Sequence, residues 1–181
     1  MNKKYTAKEL DLLHAELYDI LGETIRICRK HDIPYFVIGG TAIGALYDRA
    51  ILPWDDDIDI GMARKDYNRF LEVAPRELGD SYFLSWIETD PHSPYYYAKV
   101  KKNNTLFVEE MSTADHVTVE SIRHLQPVPF GPLTVNAPDN LEGFLRYNYP
   151  TLHRYTEEEQ EKVNNHYPAA LSFSTTPKQE L

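Results

Sequence analysis

Cysteine is nearly absent from this sequence. Cys28 is the only cysteine among 181 residues, which excludes an internal disulfide bond. Disulfide bonds persist mainly in oxidising compartments, so a reducing compartment is favoured. Because Cys28 falls on the apolar face of a predicted helix, we interpret it as a small buried hydrophobic side chain and not as a nucleophile.

Basic residues are also few. The chain has 19 lysines and arginines against 28 aspartates and glutamates, which gives a formal net charge of -9. A surface of this sign repels a phosphate backbone, which excludes a nucleic acid polymer as the partner. A small anionic substrate would therefore need local positive charge or a metal ion.

Long hydrophobic runs are missing as well. No apolar run reaches the length of a membrane span, and the N-terminal stretch MNKKYTAKEL has no apolar signal region. We therefore expect a cytoplasmic protein without a membrane span, for which a peripheral contact with a membrane stays open.

The length predicts a single domain, placed at residues 1–168, and the polar tail 169–181 is expected to be disordered.

Hydrophobic periodicity predicts the supporting elements. Thr6 and Glu9 form a capping box ahead of apolar residues at helical spacing, which predicts a helix as far as Lys30. A second helix is predicted at 64–78. Short strands are predicted at 82–86, 95–101 and 105–109, and a cap of Thr156 with Glu159 predicts a helix at 156–163.

A glycine pair marks the first candidate functional feature. A short apolar run that favours β structure ends in Gly39 and Gly40, and a segment that could open a helix follows at Thr41. A strand, a glycine turn and a helix N-terminus together present free N–H groups to an anion, and glycine allows close approach of a phosphate. These three residues are candidate phosphate ligands, although most such turns only reverse the chain.

An acidic segment, residues 55–60, follows a short distance downstream. Asp57 and Asp59 alternate with Ile58 and Ile60, so on a β-strand both carboxylates would point to one face and both isoleucines into the core. Carboxylates that share a face with substrate phosphates suit Mg²⁺ or Mn²⁺. A solvated acidic turn is the alternative, but such a turn has no reason to interleave isoleucines.

A calcium-binding EF-hand loop is the second alternative for this segment. Asp55, Asp57 and Asp59 have the odd-numbered spacing of such a loop. The loop needs glycine at its sixth position and glutamate at its twelfth, where this chain has Ile60 and Asp66. The EF-hand is therefore excluded, and Asp57 and Asp59 are predicted to bind the metal. Asp55 and Asp56 could support these ligands, or only be solvated or form the turn.

The glycine turn and the acidic segment together resemble a known family signature. Gly39-Gly40-Thr41 followed by the stretch PWDDDIDIG at 53–61 is similar to the LicD family of phosphocholine and related phospho-alcohol transferases. That resemblance implies an α+β protein with a nucleotidyltransferase (polymerase-β-like) fold, in which a small mixed β-sheet is flanked by helices. It extends over residues 10–168 and is strongest at 35–110, and it implies a hairpin at 125–135 followed by a short helix at 137–145.

The same resemblance suggests further site residues. In the stretch Tyr95–Lys101, alternation places Lys99 beside tyrosines on one face, which could offer charge to a phosphate and rings to a base, or be an ordinary edge strand. Family members carry a lysine matching Lys99, which favours phosphate binding. Arg49 could replace a basic contact that many relatives place just before it. Glu120 is the best counterpart of the superfamily's third carboxylate, with a surface glutamate as the alternative.

The resemblance implies transfer of a phospho-alcohol such as phosphocholine from a CDP-linked donor to a glycan hydroxyl, with Mg²⁺ or Mn²⁺ as cofactor. Asp57 and Asp59 would bind the metal, and Glu120 would be a third ligand or the general base. Two other classes stay open. One is a nucleotidyltransferase that adds a nucleoside monophosphate to a small molecule or protein, and the other is a non-catalytic nucleotide- or glycan-binding relative.

Overall fold

A computed structural model describes residues 5–91, 95–108, 122–156, 158–159 and 170–172. Helix α1, Ala7–Lys30, is the longest element among these residues. The Thr6 hydroxyl accepts a hydrogen bond from the Glu9 N–H, and the Glu9 carboxylate accepts one from the Thr6 N–H at 2.8 Å. The predicted capping box is therefore confirmed, and it fixes the first turn of the helix.

The inner face of α1 supplies much of the core. Leu21, Ile25, Ile27 and Cys28 are all buried there. Burial raises the pKa of the Cys28 thiol to about 12, so the thiol stays protonated at neutral pH. The interpretation of Cys28 as a small hydrophobic side chain is confirmed.

The remaining elements are short. The helices are α2 Gly39–Tyr47, α3 Arg64–Glu77 and α4 Leu141–Asn148, and the strands are β1 Phe36–Val37, β2 Ile60–Gly61, β3 Tyr82–Ser85, β4 Lys99–Lys102, β5 Leu106–Val108, β6 Leu125–Phe130, β7 Leu133–Pro138 and β8 Ala170–Ser172. Helix α3 has nearly the predicted bounds, whereas α4 begins four residues later than predicted because the Asn140 side chain caps it by accepting from the Gly143 N–H at 3.1 Å.

The described strands form four antiparallel pairs: β1 with β2, β3 with β4, β5 with β8, and β6 with β7. Helices and small sheets together confirm the α+β class. The predicted single mixed sheet is not found among these strands, because each has one hydrogen-bonded neighbour. Pro127 and Pro129 in β6 lack N–H donors, which disfavours a second partner for that strand. The nucleotidyltransferase fold remains a prediction.

Two predicted boundaries need correction. Ala170–Ser172 pairs with β5, so the expected disorder of the tail does not hold for these three residues, whose backbone groups bond to a neighbouring strand. The strand predicted at 95–101 begins only at Lys99, because β3 ends at Ser85 and offers no partner to the preceding tyrosines. The rest of the tail and most of the helix predicted at 156–163 lie outside the described residues.

The β6–β7 hairpin holds the segment that follows α2. Phe130 is fully buried and packs edge-to-face with the Tyr18 ring, with 5.8 Å between the two ring centroids. The Tyr18 hydroxyl accepts from the Ile51 N–H at 2.9 Å, and the Gly131 N–H donates to the Arg49 carbonyl at 2.5 Å. These bonds fix the chain just before the acidic segment.

Within the part of the chain that the structure describes, no helix has both the length and the apolar character to cross a membrane.

Candidate functional site

The glycine turn follows β1 as the sequence predicts, but both glycines belong to α2, which begins at Gly39 and not at the predicted Thr41. Gly39 has a φ of +54°, a left-handed conformation that glycine adopts without the steric cost of a side chain. Ile38 lies at the N-cap of α2 and makes no side-chain capping bond, and the first turn contains no acidic residue. The N-terminal end of α2 therefore favours negative charge supplied from elsewhere.

Asp55 supplies negative charge at this position. Its Oδ2 atom would lie only 2.5 Å from a Cβ added at Gly40, so a glycine is required for the carboxylate to come this close. Asp55 is 6% exposed, and the positive end of a helix dipole stabilises a buried carboxylate. An internal carboxylate thus lies where the sequence suggested a phosphate, and phosphate binding by Gly39 and Gly40 stays a prediction.

Thr41 joins the start of α2 to the acidic segment. Its Oγ1 accepts a hydrogen bond from the Asp59 N–H at 2.8 Å, and the Asp59 carbonyl accepts one from the Ile38 N–H at 3.2 Å. Thr41 is 2% exposed. Its observed role is therefore to position Asp59, and a direct contact with phosphate stays a prediction.

Three consecutive aspartates converge after Trp54. One carboxylate oxygen each from Asp55, Asp56 and Asp57 lies within 4.8 Å of the other two. Asp55 and Asp56 are buried, and Asp57 is half-buried. Carboxylates this close repel one another when ionised, so a cation among them would be stabilising. Oxygen donors of this kind fit Mg²⁺ or Mn²⁺.

The membership of this group differs from the sequence prediction. Asp55 and Asp56 were predicted only as supporting groups, and the structure places them with Asp57 as candidate ligands. Asp59 is exposed and is not part of this group of three. Metal binding by Asp57 and Asp59 remains a prediction.

The predicted strand through Asp57 and Asp59 is corrected by the structure. Strand β2 covers only Ile60 and Gly61, because its partner β1 is two residues long and the Asp59 N–H bonds to the Thr41 side chain instead of a strand. Ile58 and Ile60 nevertheless pack against the core. The inward direction of the isoleucines is confirmed.

Two residues that contact the acidic segment were not predicted: Tyr5, which precedes α1, and His14, which lies on α1. The Tyr5 hydroxyl donates to Asp56 Oδ2 at 2.8 Å. His14 Nε2 lies 2.8 Å from the Asp55 carbonyl oxygen, and it carries the hydrogen because a carbonyl oxygen only accepts. These contacts span 51 and 41 positions of the chain, and no local sequence signal announces them.

The basic candidates lie apart in the chain. The Lys99 ammonium lies over the Tyr95 ring at 4.1 Å from its centroid and 5.7 Å from that of Tyr97, so the predicted grouping of lysine with tyrosines is observed. Arg49 is exposed, with a φ of 55°. Glu120, the predicted third carboxylate, lies outside the described residues. Phosphate contacts of Lys99 and Arg49 stay predictions.

The sequence is similar to a known protein family and to several known proteins. Residues 32–140 match the family described as LicD/FKTN/FKRP, nucleotidyltransferase domain. A lipopolysaccharide cholinephosphotransferase, LicD, of Haemophilus influenzae is 36% identical over 86 residues, which cover 48% of this chain and 31% of that protein. The human ribitol 5-phosphate transferase FKRP is 26% identical over 137 residues, which cover 65% of this chain and 28% of that protein.

An uncharacterised protein of Rickettsia typhi is 25% identical over 165 residues, which cover 84% of this chain and 51% of that protein. The chain therefore spans about half or less of the length of these relatives. The family match includes both the glycine turn and the aspartates that converge beside it. Because the family match covers more than half of the chain's residues, the chain belongs to the LicD/FKTN/FKRP family.

Proposed function

We propose that this protein is a metal-dependent transferase that moves a phospho-alcohol from a CDP-linked donor to a glycan hydroxyl. The main support is the convergence of Asp55, Asp56 and Asp57 beside the N-terminal end of α2. The relatives add support of a second kind, since one is named for transfer of cholinephosphate and another for transfer of ribitol 5-phosphate.

The acidic segment would bind Mg²⁺ or Mn²⁺. Asp57 is the most accessible of the three converging aspartates, and with Asp59 it is our candidate for the ligands that face the donor. When bound, the cation would neutralise charge on the donor pyrophosphate. Asp55 and Asp56 would complete or support the ligand set, because both lie within ligand distance of Asp57.

The chain's own residues would mainly position the reactants. Phosphoryl transfer depends on alignment and charge neutralisation more than on covalent help from the protein. Thr41 and His14 hold the backbone of the acidic segment through bonds to Asp59 and Asp55. Lys99 would add positive charge beside the donor phosphates.

The proposed reaction is a single displacement at phosphorus. The acceptor hydroxyl oxygen forms a bond to the phosphorus that carries the alcohol, and the bond from that phosphorus to the bridging oxygen breaks. CMP leaves with the bridging oxygen, and the hydroxyl proton passes to a general base, for which Glu120 is our candidate. The products are CMP and a phosphodiester on the glycan.

A second candidate function uses the same residues. The matched family is described as a nucleotidyltransferase domain, which favours transfer of the nucleoside monophosphate as the alternative. In that reaction the acceptor would attack the other phosphorus of the donor, the phospho-alcohol would leave with the bridging oxygen, and the acceptor would gain a CMP group. Mass spectrometry of the acceptor separates the two reactions, because the added groups differ in mass.

The test is donor turnover by purified protein. We expect CMP release from CDP-choline or CDP-ribitol in the presence of Mg²⁺ or Mn²⁺ and a glycan acceptor, and its loss with EDTA. Asp57→Asn and Asp59→Asn should each lower the rate by about 100-fold or more, since removal of one preorganised electrostatic group commonly has an effect of that size.

The matched control is Asp80→Asn, which makes the same chemical change at an exposed aspartate outside the acidic segment. All three variants should keep the circular dichroism spectrum of the wild type. Unchanged CMP release in both Asp57→Asn and Asp59→Asn, or an equal loss in Asp80→Asn, would count against the proposal.

A further inference from the structure

We propose that a groove between the start of α3 and the chain before β4 binds the nucleobase of the activated donor. The groove has a volume of about 270 Å³ and is lined by Met62, Arg64, Tyr67, Tyr96 and Tyr97. This inference rests on the proposed function in one respect, namely that the donor is a nucleotide. It assigns the base to residues that neither the acidic segment nor the glycine turn includes.

The lining consists largely of flat surfaces. Three of the five residues are tyrosines, and the Arg64 guanidinium carbon lies 5.4 Å from the centroid of the Tyr67 ring. Nucleobases outside a duplex are commonly bound by stacking on aromatic rings and on guanidinium planes. Tyr96 is fully exposed, with a relative accessibility of 103%, so its ring is available to such a partner.

One side of the groove is fixed before any ligand arrives. The Tyr67 hydroxyl accepts a hydrogen bond from the Ala98 N–H at 2.8 Å, which joins α3 to the chain that carries Tyr96 and Tyr97. Lys99 then lies over the ring of Tyr95 and near that of Tyr97. A preformed site requires less ordering when a ligand binds.

The groove is close to the acidic segment along the chain. Met62 follows Gly61 of β2 directly and is three residues beyond Asp59. Since an extended chain spans at most about 3.6 Å per residue, the Cα atoms of Asp59 and Met62 lie within about 11 Å of each other. A donor whose phosphates meet the aspartates could therefore extend its base toward this groove.

Charge distinguishes the base from the alcohol of the donor. Tyrosine clusters also bind quaternary ammonium groups such as that of choline. In this groove, however, Arg64 already lies over Tyr67, and the Lys99 ammonium is 5.7 Å from the Tyr97 centroid. A third cation would be repelled by both, whereas a neutral planar base would not.

The experiment measures CMP and phosphocholine binding to the full chain by isothermal titration calorimetry in EDTA. We expect CMP to bind, and Tyr96→Ala to raise its Kd by at least about fivefold, because stacking on one aromatic ring commonly has an effect of that size or larger. Tyr96→Trp should restore binding. Tyr147→Ala is the matched control, since Tyr147 is also an exposed tyrosine, at 71%, but lies on α4.

A second pair of variants tests the guanidinium. Arg64→Gln should weaken CMP binding, whereas Arg69→Gln, on the same helix and paired with Glu72 at 3.2 Å, should leave it unchanged. No detectable CMP binding, or equal affinity in Tyr96→Ala and Tyr147→Ala, would overturn the inference. Displacement of CMP by phosphocholine that depends on Tyr96 would also overturn it, because the groove would then bind the alcohol.

Failure of this inference is distinguishable from failure of the proposed function. If CDP-choline is turned over while Tyr96→Ala and Arg64→Gln leave its KM unchanged, the base binds elsewhere and the transferase proposal stands. If these variants weaken CMP binding but no CDP-linked donor is turned over, the groove binds the base and the transferase proposal fails.

Discussion

At the scale of single residues, the approach of Asp55 to Gly40 determines how the site is built. The carboxylate occupies the space that any side chain at Gly40 would need. Asp55 is buried there beside the N-terminal end of α2. The second glycine of the turn is thus explained by a neighbour inside the protein, independently of any ligand.

We therefore predict that Gly40→Ala destabilises the fold by about 1–3 kcal/mol, the usual cost of forcing an atom into a filled interior position. The variant should also bind Mn²⁺ more weakly, because the Asp55 carboxylate must shift from the position in which it lies close to those of Asp56 and Asp57. Urea unfolding and calorimetric titration with Mn²⁺ measure the two effects.

Gly22→Ala is the matched control for this prediction. Gly22 lies inside α1, and a Cβ there would meet only Leu133 Cδ2 at 4.0 Å. Alanine favours a helix interior over glycine by about 0.5–1 kcal/mol, so this variant should be as stable as the wild type or more so. Equal stability of Gly40→Ala and Gly22→Ala would contradict the predicted crowding at Asp55.

At the scale of elements, the start of α1 supports the acidic segment. Tyr5, just before the helix, orients the Asp56 carboxylate, and His14 on its second turn holds the Asp55 backbone. Groups that bond to metal ligands fix the direction of their oxygens, and their loss typically lowers metal affinity by about 10–100-fold. The start of α1 therefore belongs to the site, although it contributes no candidate ligand.

The corresponding prediction concerns Tyr5→Phe. It removes the hydroxyl that donates to Asp56, so Mn²⁺ affinity should fall by about tenfold while stability falls by no more than about 1.5 kcal/mol. Tyr82→Phe is the control, because it removes an equivalent 2.8 Å bond from a tyrosine hydroxyl to a carboxylate, that of Asp19 on α1. If both variants lower Mn²⁺ affinity equally, or if neither does, Tyr5 has no specific role at the site.

Local and long-range features differ in how far the sequence could predict them. The Thr6 capping box and the turn at Gly39 depend on residues a few positions apart, so their patterns are visible in the sequence. The contacts of Tyr5 and His14 join segments 51 and 41 residues apart. Which side chains meet across such distances is decided by packing, which one sequence does not display.

The acidic segment lies between these two cases. Alternation correctly predicted that Ile58 and Ile60 pack inward. It also predicted a strand at Asp57 and Asp59, but the Asp59 N–H bonds to the buried Thr41 hydroxyl instead. Periodicity reports which side of a segment faces the core, whereas its hydrogen-bond partner depends on the neighbouring element.

At the scale of the whole molecule, α1 is joined to α3 and β4 by ion pairs at its surface. Asp19 accepts from Lys102 at 2.9 Å, and Glu77 of α3 pairs with Lys30 at 2.7 Å. The bond from Lys102 lowers the pKa of Asp19, and the bond from Lys30 lowers that of Glu77. These carboxylates are more acidic in the folded protein than in the unfolded chain.

The sign of the pH dependence follows from these shifts. A carboxylate whose pKa is lowered by folding contributes stability above its unfolded pKa, and that contribution is lost as pH falls through the folded value. The ordinary pKa values of Asp19 and Glu77 are 3.8 and 4.5. Stability should therefore be constant in this respect above about pH 5 and decrease below pH 4.

Urea unfolding at pH 7, 5 and 3.5 tests this prediction, and Asp19→Asn isolates one contribution. The variant cannot ionise at position 19, so its stability should fall less steeply between pH 5 and 3.5 than that of the wild type. Asp80→Asn, at an exposed aspartate outside these ion pairs, should follow the wild type. Because the paired groups are largely exposed, high salt should reduce the difference. An equally steep fall in Asp19→Asn and the wild type at low salt would show that the bond between Asp19 and Lys102 does not couple α1 to β4.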